Sequence, residues 1–226
     1  MQSQEWHRAL AQALFLLDSR YFDESQHPRD EHGRFTFSTG GDELGEGYSA
    51  NAYIRDGVVH TTDVYDAARA LHEGRKVDLD QPRGVSVLLD KLGEISKSMI
   101  ARGEKAPNFN LCNVAIKGTN LFCADSKGIP RVKMPQLTIE QDKPFFDYLK
   151  SKGYKVEQQE QYASHLRATQ NELNGTKVAG IAAAMKTTTG YHSSSNPIFV
   201  SKDDYILDGH HRWAAEIGVD AVDNVL

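Results

Sequence analysis

The sequence predicts an α+β protein with a helical N-terminal region, a linker and a small C-terminal α/β domain. Three observations lead to this class. Apolar residues recur at three- and four-residue spacing in residues 1–22 and through much of residues 61–158, which indicates helices. Residues 23–60 lose that spacing and are rich in Gly, Pro and charge, which indicates a linker or extended arm. Residues 159–226 end in a strand, a turn, a second strand and a helix.

Length and charge limit the classes of function. A chain of 226 residues fits one or two domains and can bury a core without a metal or disulfide. The net charge of −5 argues against a whole-surface grip on DNA, so any DNA contact needs a local basic patch. No apolar run approaches the ~18 to 20 residues of a membrane span, so we expect no membrane partner.

The cysteine count points to a reducing compartment. Cys112 and Cys123 are too few for a disulfide framework or a four-cysteine zinc site. We expect both thiols to be reduced and half-buried, as free cysteines usually are. The first residues also make a poor signal peptide, because Glu5 stands where a basic leader is expected. The expected location is therefore the cytoplasm.

The helices of residues 1–158 follow from apolar spacing and from the residues that begin or end a helix. Pro is favoured at the first helical position, so one helix is expected to begin at Pro144 after an Asp142 cap. Residues 109–134 alternate short apolar runs with Gly, which favours strands or a loop-rich segment. The four helices expected are one within residues 1–22, one from Thr61, Thr62 or Asp63 to Gly74, one from Val85 to Ala101, and one from Pro144 to Lys152.

The last segment is predicted to alternate helices and short strands. A polar loop over residues 187–196 is the best candidate for a mobile lid, and its His192 is a candidate lid residue. The elements expected are a helix Tyr162–Leu173 closed by Asn174-Gly175, a small-residue helix Val178–Met185, strands Pro197–Val200 and Tyr205–Leu207, and a helix His210–Ile217.

The residues that open the last helix form a phosphate-binding pattern. The first N–H groups of a helix have no internal partner and carry partial positive charge, so an anion is attracted there. Gly209 lets the backbone approach a ligand, while His210, His211 and Arg212 add donors. Successive helical side chains point ~100° apart, so we expect only Arg212 and one histidine to face a ligand.

Asp208 has two interpretations at this position. A carboxylate is a good helix cap, but it repels a phosphate. Either Asp208 caps the helix and faces away, or it binds a divalent cation such as Mg²⁺ that bridges to the phosphates. The sequence leaves both open.

The same stretch resembles a known superfamily. Residues 196–218, NPIFVSKDDYILDGHHRWAAEIG, are similar to the central segment of the ParB/sulfiredoxin-like superfamily, in which a Pro-Ile strand, a hairpin and a Gly-His-x-Arg-like box recur. Residues 166–184, LRATQNELNGTKVAGIAAA, resemble the part that precedes that strand. The resemblance covers the last 60 to 65 residues. It implies a small α/β nucleotide-binding domain over residues 159–226.

The resemblance also implies a site and a class of chemistry. In that superfamily the box binds nucleotide phosphates, so Gly209, His210, His211 and Arg212 become the candidates for binding ATP or CTP with Mg²⁺. The implied activities are nucleotide hydrolysis, kinase-like phosphoryl transfer or nuclease cleavage. Sulfiredoxin chemistry is not expected, because His210 stands where those reductases carry a catalytic cysteine.

Phosphoryl transfer needs a base as well as a phosphate grip. A hydroxyl or water must lose its proton as it attacks, which a nearby carboxylate can accept. Glu172 is the candidate base, since it lies just before the small-residue helix. Asp208 and His211 are the other candidate catalytic residues.

A second resemblance concerns the source of the chain. Residues 27–41, HPRDEHGRFTFSTGG, are similar to short arms of bacteriophage head-associated proteins. This implies a phage or prophage protein in the host cytoplasm or on the virion, with a phage structural protein as a partner. The alternative function is accordingly a non-enzymatic, partner-binding protein that retains the fold.

Overall fold

A computed structural model describes Leu44 and residues 47–81, 84–134, 137–187 and 197–219. The helix expected within residues 1–22, most of the linker and most of the polar loop with His192 lie outside the described residues. Within the described part of the chain, no helix combines the length and apolar character needed to cross a membrane.

The fold is α+β, as the sequence predicts. The described residues contain five α-helices and six strands, with short 3₁₀ turns between some of them. In chain order the elements are β1 Tyr53–Arg55, β2 Val58–Thr61, α1 Val64–His72, β3 Lys76–Leu79, α2 Gly84–Ala101, β4 Val114–Ile116, α3 Ile139–Ser151, α4 Gly175–Thr187, β5 Phe199–Val200, β6 Ile206–Asp208 and α5 His210–Val219.

A mixed four-stranded sheet begins inside the segment predicted as a linker. The strand order is β1-β2-β3-β4; β1 and β2 are antiparallel, and the other two pairs are parallel. Asp56 and Gly57 join the first two strands with positive φ angles of 52° and 76°. Asp-Gly in this conformation is the preferred two-residue hairpin turn. The linker prediction for residues 23–60 is therefore wrong for residues 53–60, where this turn signal was missed.

One hydrophobic core joins the sheet to four of the helices. Side chains from α1, α2, α4 and α5 pack with the inward-facing residues of β2, β3 and β4. Trp213 of α5 is buried in this core and donates through Nε1 to the carbonyl of Ala163 at 2.8 Å. The core therefore crosses the boundary that the sequence analysis sets between residues 158 and 159.

Of the helices predicted within residues 1–158, the three that fall on described residues are present, one of them with a different start. Asp63 caps α1, its side chain accepting from the Tyr65 N–H at 2.6 Å. The helix predicted from Val85 to Ala101 is α2. In contrast, α3 begins at Ile139, five residues before Pro144, because Thr138 is its N-cap and Gln141 accepts from the Thr138 N–H at 2.9 Å.

The helix predicted over residues 162–173 is wrong. The chain forms a 3₁₀ turn at Ala163–His165 and then an extended segment. Arg167 exchanges backbone hydrogen bonds with the β5–β6 hairpin, donating to Asp204 and accepting from Ile206, both at 2.9 Å. Pairing between distant segments overrides the local apolar spacing here. Asn174 and Gly175 consequently begin α4 instead of closing an earlier helix.

The two cysteines differ from their predicted state. Cys112 and Cys123 are joined in a disulfide, which closes the segment that contains β4. The expectation of two reduced thiols is therefore wrong. The spacing of the two cysteines in the sequence does not reveal the bond. The turn at Lys117-Gly118 folds the segment back on itself, and this turn depends on tertiary contacts as well as on local sequence.

Gly175 provides a test of the packing at the start of α4. A Cβ there would lie 2.8 Å from the backbone oxygen of Phe109, which cannot move aside easily. A Cβ at Gly93 of α2 would meet only Ala179, at an ordinary 3.7 Å. We expect Gly175→Ala to lower the free energy of unfolding by about 1 to 3 kcal/mol. Gly93→Ala, the matched control, should leave it unchanged or raise it. Urea denaturation measures both, and equal effects would contradict the packing.

Candidate functional site

The candidate site lies where the β5–β6 hairpin meets α5. Strand β6 ends at Asp208, and α5 begins at His210, so the predicted strand, glycine and helix order is confirmed. Gly209 joins them with φ of 96°, a conformation that side chains other than Gly rarely adopt. A Cβ at Gly209 would also lie 3.2 Å from Ile198. The turn therefore requires glycine for both its conformation and its close contacts.

Arg212 lies along this turn, beside Asp208. Its Nη2 donates to the Pro197 carbonyl at 2.9 Å and lies 3.6 Å from the Asp208 carboxylate oxygen Oδ2. The guanidinium is thus fixed at the N-terminal end of α5, and its buried Nε–H has no partner among the described residues.

His210 points inward, to the loop that precedes α4. It is 4% exposed, and its Nε2 accepts a hydrogen bond from the Thr169 N–H at 3.0 Å. Burial, reinforced by the charge of Arg131, lowers the pKa of His210 to about 4. His210 is therefore neutral at neutral pH, with its proton on Nδ1 because Nε2 is an acceptor.

His211 has a similar role one residue along. Its Nε2 accepts from the Asn174 N–H at 3.2 Å. Burial and the nearby charges of Arg131 and Lys177 lower the pKa of His211 to about 3. Because an accepting nitrogen cannot also donate, neither Nε2 is available to bind a phosphate oxygen. The two histidines of the box therefore hold residues 169–174 against the start of α5 through hydrogen bonds.

Glu172 lies on the histidine side of the site. Its Oε1 accepts from the Asn108 side chain at 2.9 Å, and its carbonyl accepts from Gln170 at 2.6 Å. The loop that carries it contacts α5 through His210 and His211, not through Arg212. Of the predicted site residues, the structure brings Asp208, Gly209 and Arg212 together, and it leaves Glu172 with Asn108.

Asp142 is a member of this site that the sequence did not reveal. It lies on α3 and interacts electrostatically with both Asp208 and Arg212. Burial first, and then the charge of Asp208, raise the pKa of the Asp142 carboxyl, while Arg212 opposes the rise. The sequence suggested only a helix cap here, because Asp142 and Asp208 lie far apart in the chain. No local pattern can report such a contact.

Asp208 was also a candidate Mg²⁺ ligand. Its carboxylate oxygen Oδ2 lies 3.6 Å from Nη2 of Arg212, a contact that neither interpretation of Asp208 included. No group of three or more His, Cys, Asp or Glu residues that could hold a metal occurs in the described ranges.

A separate open cleft lies at the other end of the hairpin. Its volume is about 490 Å³. Acidic, basic and uncharged polar side chains line it, among them Asp125, His165, Arg167 and Asp204. Arg167 and Lys127 both lie over the ring of Tyr205. The cleft is distinct from the turn at Gly209, since β6 separates them.

No family model, curated protein or solved structure matches the chain.

The neutral His210 predicts a pH-dependent stability. In the unfolded chain this histidine is protonated below its ordinary pKa of ~6.5. In the folded chain it is protonated only below about pH 4. This part of the stability is therefore complete above pH 6.5 and is lost as the pH falls toward 4. We expect protonation of this residue to lower the free energy of unfolding by about 2 kcal/mol between pH 7 and pH 5.

His210→Gln tests this prediction, because the amide can still accept from the Thr169 N–H but does not titrate. Urea denaturation at pH 7, 6 and 5 should show a shallower pH dependence for this variant than for the wild type. His165→Gln, a substitution at an exposed histidine, is the control. The same slope in all three proteins would disprove the assignment.

Proposed function

We propose that the protein binds a nucleotide at the Asp208–Arg212 turn and hydrolyses or transfers a phosphoryl group, as the resemblance to ParB/sulfiredoxin-like proteins implies. In this proposal the last 60 to 65 residues supply the phosphate site, and they share one hydrophobic core with the sheet and helices that precede them. The nucleotide is ATP or CTP, and Mg²⁺ accompanies its phosphates.

The observation that carries the proposal is the combination of Gly209 and Arg212 at the start of α5. The positive φ of Gly209 ends β6 and starts the helix without a side chain in the way. The first N–H groups of α5 lack helical partners, and the helix dipole favours an anion there. Arg212 adds a fixed positive charge with an unpartnered Nε–H. These are the features that bind a phosphate.

Two further cations favour an anion near the box. Arg131 lowers the pKa of both His210 and His211, and Lys177 adds to the effect on His211, so both lie close to the helix start. Because the histidines are neutral, the cationic groups there are Arg131, Lys177 and Arg212, aided by the helix dipole and opposed by the carboxylates of Asp208 and Asp142. A net charge of −5 is compatible with such a local grip on a small anion.

The chemistry expected of this site is mainly electrostatic. Phosphoryl transfer spreads negative charge over the transferred oxygens, and positioned donors and cations stabilise that charge. Arg212 and the α5 N–H groups supply such donors in this proposal. Mg²⁺ that arrives with the nucleotide would neutralise part of the phosphate charge.

Nucleotide titrations test the proposal. We expect wild-type protein to bind ATP or CTP in isothermal titration calorimetry, with Mg²⁺ present or absent, and to discriminate between them and GTP. Arg212→Ala should raise the Kd about 10- to 100-fold, because a charge-assisted hydrogen bond contributes about 1.5 to 3 kcal/mol. Arg102→Ala, at an exposed arginine at the end of α2, is the control and should bind as wild type does.

The outcome can also reject the proposal. Equal affinity in Arg212→Ala and wild type, or no binding in either, would show that the turn is not a nucleotide site. Thermal melts of each variant check that a loss of binding is not a loss of folding. If the transferred group belongs to DNA, metal-dependent nicking of a plasmid should occur in the wild type and disappear in Arg212→Ala.

One observation favours the non-enzymatic alternative. Both histidines of the box are neutral and accept hydrogen bonds from backbone N–H groups, so they support the fold through these contacts. A partner-binding phage protein that retained the fold would keep these contacts. In that case the wild-type protein would bind phage particles but would not turn over any nucleotide.

A further inference from the structure

Helix α3 lies against the candidate site without belonging to the hydrophobic core. None of its described side chains is buried, and none is part of the core formed by the sheet and the other helices. An aromatic contact attaches it to the hairpin: the Phe146 ring meets the edge of Phe199 with a centroid distance of 4.8 Å. A helix with so few buried contacts opens at low cost in free energy.

The hairpin register places this contact next to Asp208. Phe199 of β5 is the cross-strand partner of Asp208 of β6. Paired residues of antiparallel strands project their side chains from the same face, with their Cβ atoms ~5 Å apart. Phe199, the residue that Phe146 contacts, is thus paired with Asp208 next to an irregularity in the register, and Arg212 lies 3.6 Å from the Asp208 carboxylate.

The helix geometry then places Asp142 at the site. Asp142 and Phe146 are four residues apart on α3, so they occupy the same face one turn apart. Phe146 fixes that face against the hairpin, and the preceding turn consequently lies near Asp208 and Arg212. The electrostatic effect of both residues on the Asp142 carboxyl, together with its partial burial, agrees with this placement.

We propose that α3 is a cover for the Asp208–Arg212 site and that Asp142 is the general base for the phosphoryl transfer. This inference rests on the proposed function and adds to it the identity of the base. The contact between Phe146 and Phe199 positions the helix, and the carboxylate of Asp142 faces the water or hydroxyl that attacks. Glu172 is the weaker candidate, because its carboxylate is bonded to Asn108 on the histidine side.

The proposed step balances for hydrolysis of a nucleoside triphosphate. The water oxygen forms a bond to the γ-phosphorus as Asp142 accepts one of its protons. The bond from that phosphorus to the bridging oxygen breaks, and its electron pair stays with the nucleoside diphosphate. Asp142 then releases the proton to solvent, so the products are nucleoside diphosphate, phosphate and one proton. If a substrate hydroxyl attacks in place of water, its phosphate ester replaces free phosphate.

The charged groups around Asp142 come from three elements. Glu140 lies on α3 itself, Asp208 ends β6, and Arg212 lies on α5. The two carboxylates favour the protonated form of Asp142, and Arg212 favours the ionised form. A carboxyl whose pKa is raised is a better proton acceptor than an ordinary one, provided that it remains ionised at the working pH.

The experiment separates binding from turnover in the full-length protein. Asp142→Asn should lower kcat about 100-fold or more, since general-base catalysis contributes about 10² to 10⁴. Its nucleotide Kd should stay within about threefold of the wild-type value. Asp147→Asn is the matched control, because Asp147 lies on the same helix and is paired with Lys143 at 2.6 Å. It should keep both kcat and Kd.

Two further measurements address the cover. Phe146→Ala should lower kcat with little change in Kd, because it releases α3 from the hairpin without altering Arg212. Hydrogen exchange in α3 should slow when wild type binds nucleotide, and this slowing should be lost in Phe146→Ala. Asp142→Glu, which keeps the carboxylate, should recover part of the turnover that Asp142→Asn loses.

The results distinguish the inference from the proposal beneath it. If wild type binds and turns over nucleotide and Asp142→Asn does so equally, the base assignment is overturned and the proposed function stands. If wild type binds nucleotide without turnover, the base assignment is overturned and only binding stands. If wild type binds no nucleotide, both are overturned.

Discussion

Two neutral imidazoles at the start of α5 hold the candidate site together. His210 and His211 each accept a backbone hydrogen bond from the loop that leads into α4, through Thr169 and Asn174 respectively. A buried N–H group without a partner is costly, so these bonds fix the loop relative to the helix. The same loop pairs with the segment around Ile129, whose N–H donates to Thr169. These two side chains thus link helix α5 to the loop that leads into α4 and, through that loop, to this central segment.

This arrangement determines which groups can meet a ligand. A histidine that accepts through Nε2 and is neutral supports the backbone and supplies no charge. The next residue, Arg212, points about 100° away around the helix and lies beside Asp208 on the hairpin side. One face of the helix start therefore contacts the backbone of residues 169–174, and the adjacent face carries Arg212, the residue proposed to bind a phosphate.

The attachment of α3 differs from that of every other described helix. The other four contribute to a common core, whereas α3 meets the hairpin through an aromatic pair and through the charges around Asp142. Stable elements fix the turn at Gly209, whereas α3, the proposed cover, is held by the contact between Phe146 and Phe199. Sites that must admit and then enclose a ligand are commonly divided in this way.

Local sequence determined most of the elements and the centre of the candidate site. Apolar spacing and caps predicted α1, α2 and α5, and the order of strand, Asp208-Gly209 and helix was readable because each step has a local physical signal. The predictions of a helix over residues 162–173 and of reduced cysteines were wrong, because both features depend on residues distant in the chain. Tertiary structure alone decided that the histidines face inward and that Asp142 approaches Arg212. A side chain's orientation and a contact between residues far apart in the chain are set by packing, which local sequence does not encode.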